Sequence, residues 1–228
     1  MEFWPLIYEL CEGFSLTLKL FALTLVFSIP LGFICSFAAM SPFKPLSWLM
    51  NGIIWIVRGT PLLLQCIIVT FIPSTLLDMP NKDFAAMLHI DTMADLQFLF
   101  VLIAFSLNYA CYFAVIFEGG IKNVSVGQHE AGQVLGMTKG QIFRHVILMQ
   151  VVRKITAPMS NEIITLVKDT ALARALSVVE IIAVAYQNVN KFAVLSPLIY
   201  ASVFYLAFSG ILTIVFHLVE KKLSYYTV

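Results

Sequence analysis

"EAGQVLGMTKGQIFRHVILMQ", residues 130–150, is a polar, basic stretch punctuated by glycines in a chain of 228 residues that is 60% hydrophobic and 12% charged. Soluble domains hold roughly a quarter charged residues, so this composition, with a mean hydropathy of +0.91, belongs to an integral membrane protein. The segment nevertheless has order of its own. Ser125 is followed three residues later by Gln128, and Thr138 by Gln141, two capping-box patterns in which hydroxyl and amide satisfy backbone groups at a helix start. Gly136 stands between them, where a left-handed helix terminator is wanted. The spacing predicts one helix over 126–135, a bend at Gly136 and Met137, and a second helix from Lys139 into Val152. Ile142, Val146 and Met149 recur at helical spacing, giving the second helix an apolar stripe suited to the membrane boundary. A short helix between two loops is shaped for a partner; by composition alone it reads equally as a surface loop with helical turns.

Outward from this segment, three uncharged runs are long enough to cross a bilayer, which takes about 20 apolar helical residues: Leu20 to Phe43, Gln97 to Phe117 and Phe192 to Val219. A fourth run, Pro45 to Leu77, is interrupted only by Arg58, and a fifth, Ile155 to Gln187, carries Glu162, Lys168, Asp169, Arg174 and Glu180. Ser177 and Glu180 form a further capping-box pattern, so the fifth run is expected to break and restart. The fold class expected is all-α integral membrane: a single domain over 1–228 with five transmembrane helices and a cytoplasmic segment at 118–154. The connectors set the orientation, because Lys and Arg concentrate on the cytoplasmic side. Lys44 lies in the 41–46 turn, residues 78–95 hold four aspartates against one lysine, and residues 118–154 hold Lys122, Lys139, Arg144, Arg153 and Lys154 against Glu118 and Glu130. The N-terminus is therefore expected outside, and the 118–154 segment and the Lys221–Lys222 tail inside.

Several classes are excluded. A net charge of +1 provides no basic excess to draw in nucleic acid. Cys11, Cys35, Cys66 and Cys111 are scattered without paired spacing, which argues for small apolar residues and for no metal site. The acidic "MEFWPLIYELCEGF" lacks the basic start and small-residue site of a cleaved signal. No G-x-x-x-x-G-K-[ST], H-E-x-x-H or G-x-S-x-G pattern occurs, so no catalytic residues are assigned and the chain carries no ATP-binding motif of its own.

Glu130-Ala131-Gly132, then Gly136, then Val146-Ile147-Leu148, resembles the EAA loop of permease subunits in binding-protein-dependent ABC importers. "RGTPLLLQ" at 58–65, "GGIKNVSVGQHEAGQVLGMT" at 119–138 and "PMSNEIITLVKDTAL" at 158–172 are similar to the polar amino-acid permeases of the histidine, glutamine and arginine type. Three separated motifs in order make this more specific than the EAA pattern alone. Departures stand beside the matches: Gly132 replaces the second alanine, Met149 a proline, Val115 a glutamate, Glu118 an arginine and Ala171 a serine. These bear on substrate preference more than on transport.

The resemblance implies a type I ABC importer permease fold in the bacterial plasma (inner) membrane. Its coupling helix, here Glu130, Ala131, Gly132 and Gly136, inserts into a groove on a cytoplasmic ATPase. It further implies two ATPase subunits carrying ATP and Mg, a second permease as homodimer or heterodimer, an extracytoplasmic substrate-binding protein, and a polar amino acid as cargo. The chain itself holds no cofactor.

Ionisable groups at membrane depth cost several kcal/mol unless paired or hydrated, so they mark cavities, partners or interfaces. Arg58 precedes Gly59 and Pro61, and the proline breaks the helix there. Its guanidinium is suited to a substrate carboxylate, or alternatively to pairing with Asp169 or Glu162 across two helices. Asn161, Glu162, Lys168, Asp169 and Thr170 concentrate polar chemistry in one run, and Asn161, Thr165 and Lys168 or Asp169 share a helix face. That face suits a central cavity for the ammonium and carboxylate of an amino acid; the alternative has Lys168 and Asp169 snorkelling to the interface. Asn108, Tyr109 and Tyr112 form a further polar stripe, with Asn108 read as interhelical glue. The competing function is an ion-gradient-driven secondary transporter or channel subunit using Asp169, Glu162 and Arg58 as coupling charges.

Overall fold

The computed structural model describes residues 3–223; Met1 and Glu2 of the acidic N-terminus, and residues 224–228, lie outside the described residues. The described chain is helical without strands. In order come α1 (Phe3–Ala39), α2 (Lys44–Arg58), α3 (Leu62–Leu76), α4 (Asn81–Met87), α5 (Met93–Lys122), α6 (Val126–Val134) and α7 (Lys139–Ile142). A π-helical turn (Phe143–Ile147) then leads into α8 (Leu148–Asp169), a 3₁₀ segment (Thr170–Leu176), α9 (Ile181–Phe192) and α10 (Ser196–Leu223).

The centre of the bundle is the pair α1 and α5, which run side by side in the same direction. Lys19 lies over the Phe98 ring at 5.1 Å, and Phe33 meets Phe117 edge-on at 5.4 Å. The buried stripe of α1 from Thr24 onward is made of small residues, Thr24, Ser28, Gly32, Ser36 and Ala39, which let the two backbones close in where lipid gives no hydrophobic drive between helices. α10 follows α1 through Phe14–Phe204 and Phe21–Phe208 contacts. One face of α10, with Phe204, Phe208, Leu212 and Phe216, packs on the core, while Ile199, Val203, Leu206, Ile211, Ile214 and Leu218 face the surroundings, as in a membrane span. α8 runs opposite to α5, with Ile155 against Gly120 at one end and Asp169 bonded to Tyr109 further along.

α1, α5 and α10 are long and apolar enough to cross a membrane, and α2 with α3 makes a fourth span if the pair, bent by 109°, is taken as one. The first helix is already formed at Phe3, well before the uncharged run that begins at Leu20; Lys19 stays exposed with its ammonium over the Phe98 ring and does not interrupt it.

The second helix of the wet segment also differs from its expected bounds. It does not end at Val152 but continues through α7, the π-turn and α8 to Asp169. The π-turn inserts one residue, so the buried positions run Ile142, Ile147, Val151, where simple spacing gives Ile142, Val146, Met149. They pack under Ile121 and Val124, so this stripe is covered by protein.

Candidate functional site

The break between α2 and α3 positions the first site. Pro61 lacks an N–H and leaves the end of α2 short of donors, and a Pro-broken membrane helix needs replacements for them. Gln65 supplies them: its Nε2 donates to Val57 O at 2.7 Å, to Thr60 O at 3.1 Å and to Thr60 Oγ1 at 2.8 Å. Its Oε1 accepts from Asn108 Nδ2 at 3.0 Å, which ties the break to α5 and gives Asn108 an interhelical role. Gln65 was not singled out by sequence reasoning; the available signal was an amide in an otherwise apolar run four residues after Pro61.

Beside the break lies a cavity of about 460 Å³. Thr60 and Pro61 come from the break, Asn108, Tyr109 and Tyr112 from α5, and Glu162, Thr165 and Asp169 from α8. The α8 residues are spaced by three and four and share one face. Tyr109 is buried, and its hydroxyl donates to Asp169 Oδ2 at 2.7 Å. Arg58 pairs with neither Asp169 nor Glu162; its guanidinium stands over the Tyr112 ring at 5.0 Å, a cation–π contact at the edge of the cavity. The pocket thus holds two carboxylates, with a cation one ring away.

The structure brings Glu162 and Asp169 together and sets Arg58 beside them. Asn161 and Lys168 are exposed on other faces of α8, and Thr170 is fully buried, its hydroxyl donating to Val167 O at 2.6 Å. The cavity face is therefore Glu162–Thr165–Asp169: of the expected face it keeps Thr165 and the Asp169 alternative, and it takes Glu162 in place of Asn161. The 3₁₀ segment ends at Ser177 with a left-handed φ of 62°, and Glu180 is itself the N-cap of α9, accepting from Ile182 N and Ala183 N at 2.8 Å each. The run breaks and restarts as its sequence predicts, but through Glu180 as the cap and not through Ser177.

The second site is α6. Of its two flanking capping boxes only Thr138–Gln141 forms; Ser125 makes no side-chain cap, and the Gln128 amide oxygen instead accepts from Gln150 Nε2 at 3.3 Å. The C-terminus closes as a Schellman motif: Met137 N donates to Gly132 O at 3.0 Å and Gly136 N to Gln133 O at 2.9 Å, with Gly136 at φ +74°. Gly132 faces inward against Ile142, while Glu130 and Ala131 are exposed, as are Val126, Val134 and Leu135, the last two at 87% and 78%. A helix closed at Gly136 and seated on Ile142 thus presents apolar side chains outward.

The family described as binding-protein-dependent transport system inner membrane component matches residues 28–225. The chain belongs to that family. It is 33% identical over 221 residues, 96% of this chain and 94% of the relative, to the arginine transport system permease protein ArtQ of Bacillus subtilis (strain 168). It is also 33% identical over 233 residues, 99% of this chain and 89% of the relative, to the L-cystine transport system permease protein TcyB of the same organism. A crystal structure of an amino acid ABC transporter with histidines superposes with a TM-score of 0.79 at 24% identity, covering 97% of this chain and 99% of that one. The inward-facing MetNI methionine ABC transporter gives 0.70 at 16% identity, covering 96% of each chain. The type I ABC permease fold expected from the EAA-like motif is thereby found, in an importer permease of the membrane.

Proposed function

We propose that this permease moves a polar amino acid into the cell by alternating access, driven by two cytoplasmic ATPase subunits that carry ATP and Mg. A second permease completes the pathway, and an extracytoplasmic binding protein delivers the cargo. In this reading the chain crosses the membrane five times, α8 with the 3₁₀ segment being the crossing that charge obscures. The N-terminus lies outside, and α6 and Lys221–Lys222 lie inside. The observation that carries the reading is α6: a helix capped at Gly136 and seated on Ile142, with Glu130, Ala131, Val134 and Leu135 exposed. A partner that grips α6 moves α7 and α8 with it, because the chain runs helically from Lys139 to Asp169. Rigid-body movement of this kind switches a cavity between two faces.

The cavity supports the cargo class. Glu162 and Asp169 are placed to meet an ammonium, and Arg58, one ring away, a carboxylate. Arginine and L-cystine, named in the relatives' systems, carry both groups. A carrier driven by an ion gradient would use the same charges but has no need of a docking helix.

The test is ATP hydrolysis in proteoliposomes holding the ATPase, the permeases and the binding protein, with amino acids scanned for stimulation and wild type compared with Glu130→Lys. Substrate-stimulated hydrolysis that collapses in the variant, in a complex that still assembles, supports coupling through α6. Hydrolysis and uptake indifferent to the substitution refute it.

A further inference from the structure

At the end of the bundle that holds the start of α1, a second cleft, of about 340 Å³, opens between the 3₁₀ segment and α9. Its position is fixed by Ile181 N, which donates to Thr17 Oγ1 at 3.3 Å. Arg174, Ser177, Tyr186, Gln187 and Asn190 supply its polar walls, and Val179 an apolar one. The guanidinium carbon of Arg174 lies 3.4 Å from the centroid of the Tyr186 ring. At that separation the planar group is stacked on the ring, which fixes it in place while leaving its N–H edges free to donate.

Arg174 has no ion pair and no side-chain hydrogen bond among the described residues. The nearby carboxylate of Glu180 is committed elsewhere: it accepts from two backbone N–H groups and, at 3.2 Å, from Tyr205 OH. A stacked, exposed and unpaired guanidinium in a cleft walled by a hydroxyl and two amides is a receptor for a planar anion. The bidentate match of guanidinium to carboxylate makes a carboxylate the preferred one. The volume falls within the range of about 300–1,000 Å³ typical of small-molecule sites.

We propose that this cleft binds the carboxylate of an amino-acid-sized ligand, with Arg174 as anchor and Tyr186 as the platform that orients it. It is a subsite separate from the cavity at the α2–α3 break, and no residue lines both. Its role as a station for cargo on the outer side rests on the importer reading; its binding chemistry does not.

The experiment is phenylglyoxal modification of the assembled transporter in nanodiscs without ATP, with labelling of Arg174 followed by peptide mass spectrometry. Saturating propionate is expected to slow labelling of Arg174 by about tenfold, while isosteric but uncharged propionamide leaves it unchanged. Tyr186→Leu is expected to lose the propionate protection and Tyr186→Phe to keep it, both in complexes that elute as wild type. Equal protection by the two probes, protection by neither, or protection only when the binding protein is added overturns the assignment. Because no hydrolysis is read, a failed coupling test with intact propionate protection refutes coupling through α6 alone.

Discussion

The side chain of Ile142 occupies the place that a Cβ on Gly132 would take: an alanine methyl there would lie 2.6 Å from Ile142 Cγ1 and 3.0 Å from Cδ1. Position 132 is where the family resemblance has an alanine, so glycine here serves close packing and not flexibility. Gly132→Ala is expected to destabilise the α6–α7 corner by about 1–3 kcal/mol, the usual cost of overpacking. The double variant Gly132→Ala with Ile142→Ala restores the space. Thermal unfolding of the purified permease complex reads both, and a neutral single variant shows that the corner yields freely.

The two helix starts in the same segment separate by chemistry. Thr138 accepts from Gln141 N, and the Gln141 amide oxygen accepts from Thr138 N, whereas Ser125 makes no side-chain cap. Thr138→Ala is expected to cost about 1 kcal/mol and Ser125→Ala nearly nothing. Hydrogen exchange at residues 140–142 checks this, since only the first substitution should raise it; equal effects would place a cap on Ser125.

These two starts show how much of the fold the sequence made legible. Apolar runs located α1, α5 and α10 because membrane helices announce themselves by length, and "RGTP" located the break in the fourth because proline acts locally. Gly136 was legible because a left-handed turn needs a particular residue type. What was not legible depends on three-dimensional neighbours: Lys19 continuing α1 against Phe98, the π-turn that moves Ile147 inward, and Gln65 replacing the donors missing at Pro61. Of the two alternatives for the end of the cavity face, Asp169 rather than Lys168 reaches Tyr109, and periodicity alone does not separate adjacent residues.

Glu180 is a fully buried carboxylate that serves three donors, Ile182 N, Ala183 N and Tyr205 OH. Glu180→Ala strands Ile182 N and Ala183 N and leaves Tyr205 OH with Thr170 Oγ1 at 3.4 Å, at about 1–3 kcal/mol for each group left unpaired, and the expected outcome is loss of folded protein. Glu180→Gln keeps one oxygen acceptor and is expected to fold with reduced stability. Yield and unfolding temperature of the two variants distinguish this cap from a charge needed only for transport.

The Tyr109–Asp169 hydrogen bond allows stability and transport to be separated. Asp169→Asn keeps an oxygen that accepts from Tyr109 OH, so its stability is expected within about 1 kcal/mol of wild type. Uptake is expected to fall sharply, because the cavity loses one of its two carboxylates. Tyr109→Phe leaves Asp169 short of a donor and is expected to lower stability and uptake together. Wild-type uptake by Asp169→Asn would remove the Asp169 charge from the substrate path.

Leu135 is exposed at the C-terminal end of α6, next to the Schellman turn at Gly136, and with Val134 it forms the apolar tip of the helix. Because little of its side chain is buried within the chain, Leu135→Asp should leave the permease's unfolding temperature unchanged. If α6 docks as proposed, the same aspartate enters the contact with the ATPase, where an unpaired charge is strongly disfavoured. Co-purification of the ATPase is therefore expected to drop by about tenfold or more, which corresponds to losing 1.4 kcal/mol or more of contact. Retained co-purification with normal substrate-stimulated hydrolysis would show that the partner grips another part of the 118–154 segment, leaving the tip of α6 outside the interface.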